Sequence, residues 1–194
     1  MKKIGISLFM LAAMLGMNAQ AEVNIYQEIM LADLQASIAQ ERAEKNAINW
    51  RVGERSEYKM QASIGNLGDL KKRVDRAEGN AVWLITEMTG RRNEKTEAKI
   101  DRATGQILEY ILNGQRQAPP VDRSEIVSQD EQTITVPAGT FRTIHAVVNT
   151  NQTEVKQVEV WVNTRQIVID GIAKTIAYTS WFPVEIILQR FFRP

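Results

Sequence analysis

Thr133–Asn163 reads TITVPAGTFRTIHAVVNTNQTEVKQVEVWVN, and its punctuation decides the fold. Pro137 fixes one φ and removes a donor, and Gly139 accepts a positive φ, so Pro137-Ala138-Gly139 turns the chain between two extended runs. A short strand enters the turn and a long one, Phe141 to Asn149, leaves it. A polar loop follows, and a further strand, Val155 to Asn163, closes on Trp161-Val162. Val, Ile and Thr dominate these runs, as strands on a half-buried sheet require. The stretch is therefore the central hairpin of an antiparallel sheet.

The same punctuation extends in both directions. Toward the C-terminus the predicted strands are Ile167 to Ile169, Lys174 to Ser180 and Val184 to Phe191. Toward the N-terminus they are Gln132 to Val136 and Glu125 to Val127, preceded by a loop-like Gln115 to Arg123 that contains Pro119-Pro120. Before that lie Ile107 to Leu112, ended by Asn113-Gly114, and Glu94 to Asp101, with Thr96, Ala98 and Ile100 on one face. The loop Asp101-Arg102-Ala103-Thr104-Gly105 joins the two as a hairpin. Ala81 to Thr89 (AVWLITEMT) is apolar on both faces, and Asp69 to Glu78 is a charged strand with Leu70 and Val74 as its apolar positions. Gly65-Asn66-Leu67-Gly68 and Gly90 to Asn93 are predicted turns. Tyr58, Met60, Ala62 and Ile64 alternate with polar residues, and Ile48, Trp50 and Val52 do the same. Short strands at this spacing predict a mainly β (α+β) fold, a curved antiparallel sheet or half-open barrel.

Ahead of the sheet the period is 3.6. Asn24 can cap a helix that starts near Ile25, and Met30, Leu31, Leu34 and Ile38 fall on one stripe with alanines beside it. Glu28, Asp33, Gln35, Gln40, Glu41, Glu44 and Lys45 fill the rest, and the helix is expected to end near Lys45-Asn46. One N-terminal helix packed on the sheet is the expected arrangement.

The first residues predict the compartment. Lys2 and Lys3 precede an uncharged apolar run from Ile4 to Gly16, and Ala19-Gln20-Ala21 is a small-x-small cleavage site. This is the layout of a secretory leader over residues 1–21, cleaved after Ala21, and the run is too short to span a bilayer comfortably. Residues 22–194 are then one β-rich domain in the periplasm, not an integral membrane protein. Of 24 Lys and Arg, the leader holds two and no acid, which leaves 22 against 23 Asp and Glu, a net charge of −1. That balance offers no electrostatic case for nucleic acid. With no cysteine and a single histidine, the chain has no disulfide and no Cys/His zinc set, and no cofactor or metal is expected.

Three features together resemble a group of secreted bacterial proteins of unknown function that includes the TapB-like proteins. They are Trp50-Arg51-Val52-Gly53-Glu54 with the alternating strand centred on Tyr58, Asp101-Arg102-Ala103-Thr104-Gly105, and Val136-Pro137-Ala138-Gly139-Thr140-Phe141 with Trp161-Val162 and Gly171-Ile172-Ala173-Lys174. The match covers roughly residues 48–190. The resemblance implies a fold similar to the lipoprotein-carrier superfamily of LolA and LolB, a curved sheet with helices in its concave face, and it implies no catalytic residues.

The candidate chemistry is sparse. His145 is predicted on one strand face with Phe141, Thr143 and Val147, and no motif supplies the nucleophile and acid that a general base needs. Asp101 and Glu109 are carboxylates with no spacing that selects a glycosidase pair. Lys71-Lys72-Arg73 with Arg76, and Arg91-Arg92 with Lys95, read as solvated basic clusters able to meet an acidic partner or lipid headgroups. The apolar excess is the best functional clue. Ala81 to Met88 and Val184 to Phe192 carry apolar groups on both faces and need cover on both. Met30, Leu34, Ile38, Trp83 and Trp161 are the expected ligand-binding residues. The expected function is non-catalytic: binding a lipid or acyl chain between helix and sheet, or alternatively serving as an envelope interaction or assembly factor for a protein partner.

Overall fold

A computed structural model describes residues 25–40, 47–121 and 124–194. The leader, the Asn24 cap and the helix end at Lys45-Asn46 lie outside the described residues. Eleven strands form one antiparallel sheet: β1 (Arg55–Ala62), β2 (Gly65–Glu78), β3 (Ala81–Gly90), β4 (Glu94–Asp101), β5 (Ile107–Leu112), β6 (Gln115–Gln117), β7 (Glu125–Val136), β8 (Gly139–Asn149), β9 (Val155–Val162), β10 (Ile172–Thr179) and β11 (Pro183–Phe192). Their spatial order is β6-β5-β4-β3-β2-β1-β11-β10-β9-β8-β7. Two meanders, β1–β6 and β7–β11, are thus joined where the first strand pairs with the last.

The connections force this sheet to curl. Eleven strands at about 4.8 Å spacing would put the edges of a flat sheet roughly 48 Å apart. The chain crosses from Gln117 on one edge to Glu125 on the other in eight residue steps, which reach at most about 29 Å. The result is an open, curved sheet, as the alternation and turn spacing predict.

The helix α1 (25–40) lies in the concavity. Its residues from 32 to 40 are all buried, and Ala32, Ala36 and Ile38 have no exposed surface. Ile25, Tyr26, Ile29, Met30, Ala32 and Ala36 pack with Tyr58, Met60, Val158, Val160, Ile186 and Leu188 in one apolar cluster. Leu34 and Ile38 join a second cluster with Trp50, Val82, Leu84, Ala98, Ile100 and Tyr110. The expected single stripe is therefore divided: Met30 faces one half of the sheet, Leu34 and Ile38 the other. The polar positions do not form a wet face either. Asp33, Gln35 and Ser37 are buried, because a sheet curled around a helix covers more of it than one stripe.

Several strand boundaries differ from the sequence reading. Ile48 to Val52 is not a strand. Ile48 and Trp50 are buried but are held by Arg102, whose guanidinium donates to their carbonyls at 3.0 and 2.8 Å, and Val52 is exposed. Ile167 to Ile169 is a buried loop, and Ile169 has a φ of 58°. Glu125 to Val136 is one strand rather than two, and Gln115–Gln117 forms a short edge strand within the predicted loop. Gly65 to Gly68 begins β2 instead of turning. Gly68 pairs with Gly90 on β3, and a Cβ on Gly68 would collide with the Thr89 carbonyl, so the two glycines allow a backbone approach that no other pair fits. In β11 a bulge opposite Glu57/Tyr58 moves Phe191 to the face that carries Leu188. That one extra residue changes the phase of the strand, so Phe191 and Leu188 share a face.

The central turn forms as the sequence predicts. Val136 pairs with Gly139, and Gly139 has a φ of 142°. An added Cβ would meet the ring of Phe141 at 3.3 Å. Gly139→Ala is expected to cost about 1 kcal/mol, the penalty for forcing a side chain into positive φ. Urea denaturation checks this, and an unchanged midpoint would contradict the strained geometry.

Candidate functional site

The concave side holds a polar knot where α1 crosses the sheet. Lys72 on β2 is in phase with Leu70 and Val74, and all three face inward with at most 2% exposure. Its ammonium contacts Asp33 of α1 at 2.5 Å and also Asp170 of the loop before β10. Thr175 on β10 donates to Asp33 at 2.7 Å, and Tyr58 on β1 donates to Asp170 at 3.2 Å. The Ile172 amide also donates to Asp170 at 3.2 Å. Burial pushes the Asp170 carboxyl up; the Lys72 charge opposes this, and the nearby Asp33 charge adds to it. Burial works against the Lys72 charge, but Asp170 and Asp33 outweigh it and raise the ammonium above its ordinary 10.5. Burial first, then the charges of Asp170 and Asp33, lift the Tyr58 phenol well above 10.0. Two acids share one base here without solvent access, so the knot pins helix, sheet and loop in one register. The reading of Lys72 as part of a solvated cluster is corrected: its period-2 phase with Leu70 and Val74 is the signal that could have found it.

The expected binding residues separate. Met30, Leu34 and Ile38 lie between helix and sheet, divided between the two apolar clusters. Trp83 and Trp161 lie on the other side. Trp83 sits between Val82 and Leu84, which face the helix, and alternation turns it outward under Arg76 at 4.2 Å and Lys99 at 5.9 Å. Lys99 and Arg76 hold the adjacent Glu78 carboxyl down to about 2, through side-chain hydrogen bonds. Trp161, between Val160 and Val162, stacks on His145 with ring centroids 4.5 Å apart and donates to Gln132 at 2.8 Å. Both tryptophans are covered by polar neighbours of the convex face, so the structure does not bring them to the helix.

The other candidates are engaged. His145 faces Asp130 through Nδ1 at 2.9 Å and Glu159 through Nε2 at 3.1 Å, while Tyr178 donates to Glu159 at 2.6 Å. A hydrogen bond from Gln132, then His145, keeps the Asp130 carboxyl below its ordinary value. The register of β8 with β7 is unbroken from Gly139 to Val147, so His145, Thr143 and Phe141 fall on one side of the strand, and Phe141 packs near Phe191. Buried residues along β8 change phase between Thr143 and Ala146. Asp101 closes its hairpin by accepting from the Thr104 and Ala103 amides at 2.8 and 3.0 Å, and Glu109 accepts from Arg116 at 2.8 Å.

Beside Gln40 the concave side opens. A cleft of about 650 Å³ lies beside Gln40 and over β7, β8 and β9, lined by Ile144 and Val162 among polar residues that include Glu131, Arg142 and Arg165. Glu131 and Arg142 pair across β7 and β8. This volume lies within the range of small-molecule sites. No helix among the described residues is long and apolar enough to cross a membrane.

No protein-family model matches the sequence, and no curated protein matches it. The resemblance to the TapB-like group therefore stands on the motifs quoted above. Solved structures with a similar chain path include an exported protein with a YmcC-like fold from Bacteroides fragilis, at 13% identity and a TM-score of 0.44, which covers 77% of this chain and 100% of that one. They also include MucB, at 10% identity and a TM-score of 0.39, covering 83% and 57%, and the MucA/MucB complex of Pseudomonas aeruginosa, at 9% and 0.41, covering 82% and 56%. The chain spans a little over half the length of the MucB chains. At these identities and scores the likeness identifies neither ligand nor partner.

Proposed function

We propose that this is a non-catalytic binding protein of the bacterial envelope, exported by the leader and cut after Ala21, which holds an apolar ligand such as a lipid or acyl chain on the concave side of its sheet. The observation that carries the reading is the open cleft beside Gln40, where Ile144 and Val162 lie among polar residues, next to a concavity otherwise filled by α1. The non-catalytic part is supported by the state of the ionisable groups: Asp33, Lys72 and Asp170 are sealed by one another, and His145 is held between two carboxylates. The ligand enters beside Gln40, at Ile144 and Val162, rather than under Leu34.

Ile144→Arg tests this. Binding of a fluorescent fatty acid is expected in the wild type and is expected to fall about tenfold or more in the variant, since a charge placed there must be desolvated. Native mass spectrometry of gently purified protein is expected to show co-purified lipid. If neither assay shows a ligand, and cross-linking in cells traps one defined protein, the envelope interaction reading replaces this one.

A further inference from the structure

A second cleft, of about 350 Å³, lies where the segment before β1, the loop before β10 and the chain after β11 meet. Arg51, Arg165 and Arg193 all line it, with Glu54, Trp50 and Ile169. Glu54 is buried and organises the place. Its carboxylate accepts from the Arg51 amide at 3.1 Å, the Ile169 amide at 3.3 Å and the Arg193 guanidinium at 3.1 Å. One acid therefore fixes three separate segments and neutralises one of the three arginines. The guanidinium groups of Arg51 and Arg165 meet no acid among the described residues, so two of the three arginines carry no paired carboxylate there.

Two further features point to a ligand. Trp50 lines the cleft and is buried, and its indole N–H, which can only donate, has no partner among the described residues. Ile169 holds a φ of 58°, a region a β-branched residue rarely occupies, and such strain persists where surrounding contacts impose it, often at ligand sites. Arginine forks suit tetrahedral oxyanions, to which they donate in pairs.

We propose that this cleft binds a phosphate group, either as a free phosphate or as the phosphate of a lipid headgroup. The site is separate from the fatty-acid test above, although Arg165 borders both clefts.

Calorimetric titration of the full chain at low salt decides it, with inorganic phosphate, dihexanoyl phosphatidate and dihexanoyl phosphatidylcholine as probes. Phosphate and phosphatidate are expected to bind, and affinity is expected to fall as salt rises. The double variant Arg51→Gln/Arg165→Gln is expected to lose about tenfold or more in affinity, because two charge-assisted partners go. Both residues are exposed, so folding is expected to be retained, as circular dichroism would check. Trp50→Phe is expected to weaken binding by a smaller factor. Arg190→Gln, at an exposed arginine paired with Glu57, is expected to leave affinity unchanged. Equal affinities for phosphate and phosphatidate identify a free oxyanion; tighter phosphatidate binding identifies a headgroup. The proposal fails if millimolar phosphate and phosphatidate give no binding, if the double variant binds as tightly as wild type, or if phosphatidylcholine matches phosphatidate.

Discussion

Lys72→Met is expected to destabilise the protein by about 3–5 kcal/mol, the cost of removing one partner from a buried ion pair. Both Asp33 and Asp170 would lose their cation while remaining sealed between α1 and the sheet. Met fills the same space, so the loss reports charge rather than a cavity. The pH dependence separates this from a packing defect. The Asp170 carboxyl is already raised by burial, and removing Lys72 raises it further. A carboxyl raised in the folded state binds its proton more tightly there, so its contribution favours folding below the ordinary 3.8 and is lost as pH rises through the folded value. The gap between variant and wild type is therefore expected to narrow as pH falls from 8 toward 4. Urea midpoints at a series of pH values measure it, and a gap that is constant with pH would show that charge is not the cause. In the wild type the Lys72 contribution has the same sign at higher pH: it is fully present below 10.5 and declines as pH rises through the raised value.

The second large effect is at Leu34. It is buried in the cluster with Val82, Leu84 and Ile100, and Leu34→Ala is expected to cost about 2–5 kcal/mol. Leu34→Trp is expected to cost about 1–3 kcal/mol as an overpacked core. The pair discriminates between two locations for an apolar ligand. If the helix bed is closed, both variants lose stability while fatty-acid binding at the cleft beside Gln40 persists. If Leu34→Trp is accepted without loss and abolishes fatty-acid binding, the ligand lies under the helix and the assignment of the cleft is wrong.

The sheet was legible because its signals are local. Asn113-Gly114, Asp101 to Gly105 and Pro137 to Gly139 each declare a reversal by their own backbone demands, and alternation around Tyr58 and Ala98 declares the buried face. The errors fall where position depends on distant partners. Ile48 to Val52 alternates like a strand, but its carbonyls are taken by Arg102 from a hairpin more than fifty residues later. Ile167 to Ile169 has strand composition, yet Glu54 holds it as a loop. Asp33 and Lys72 look solvated in their own segments and become a buried pair only when the helix enters the sheet. Trp83 and Trp161 lie apart from the helix, under Arg76, Lys99 and His145, which alternation alone did not place there.

The pairing of β1 with β11 sets the order in which this chain is able to mature. Every other strand pair joins sequence neighbours, so each meander can zip from its own turns as soon as it is made. Tyr58, however, must wait for Leu188, 130 positions later, before the sheet has a continuous centre. Closing so long a loop is entropically late and slow. The concavity around α1 is therefore completed only when β11 arrives, and the first meander stays without its central partner until then. Under the export proposed above, such a closing contact, which the beginning of the chain cannot make alone, suits a polypeptide threaded unfolded.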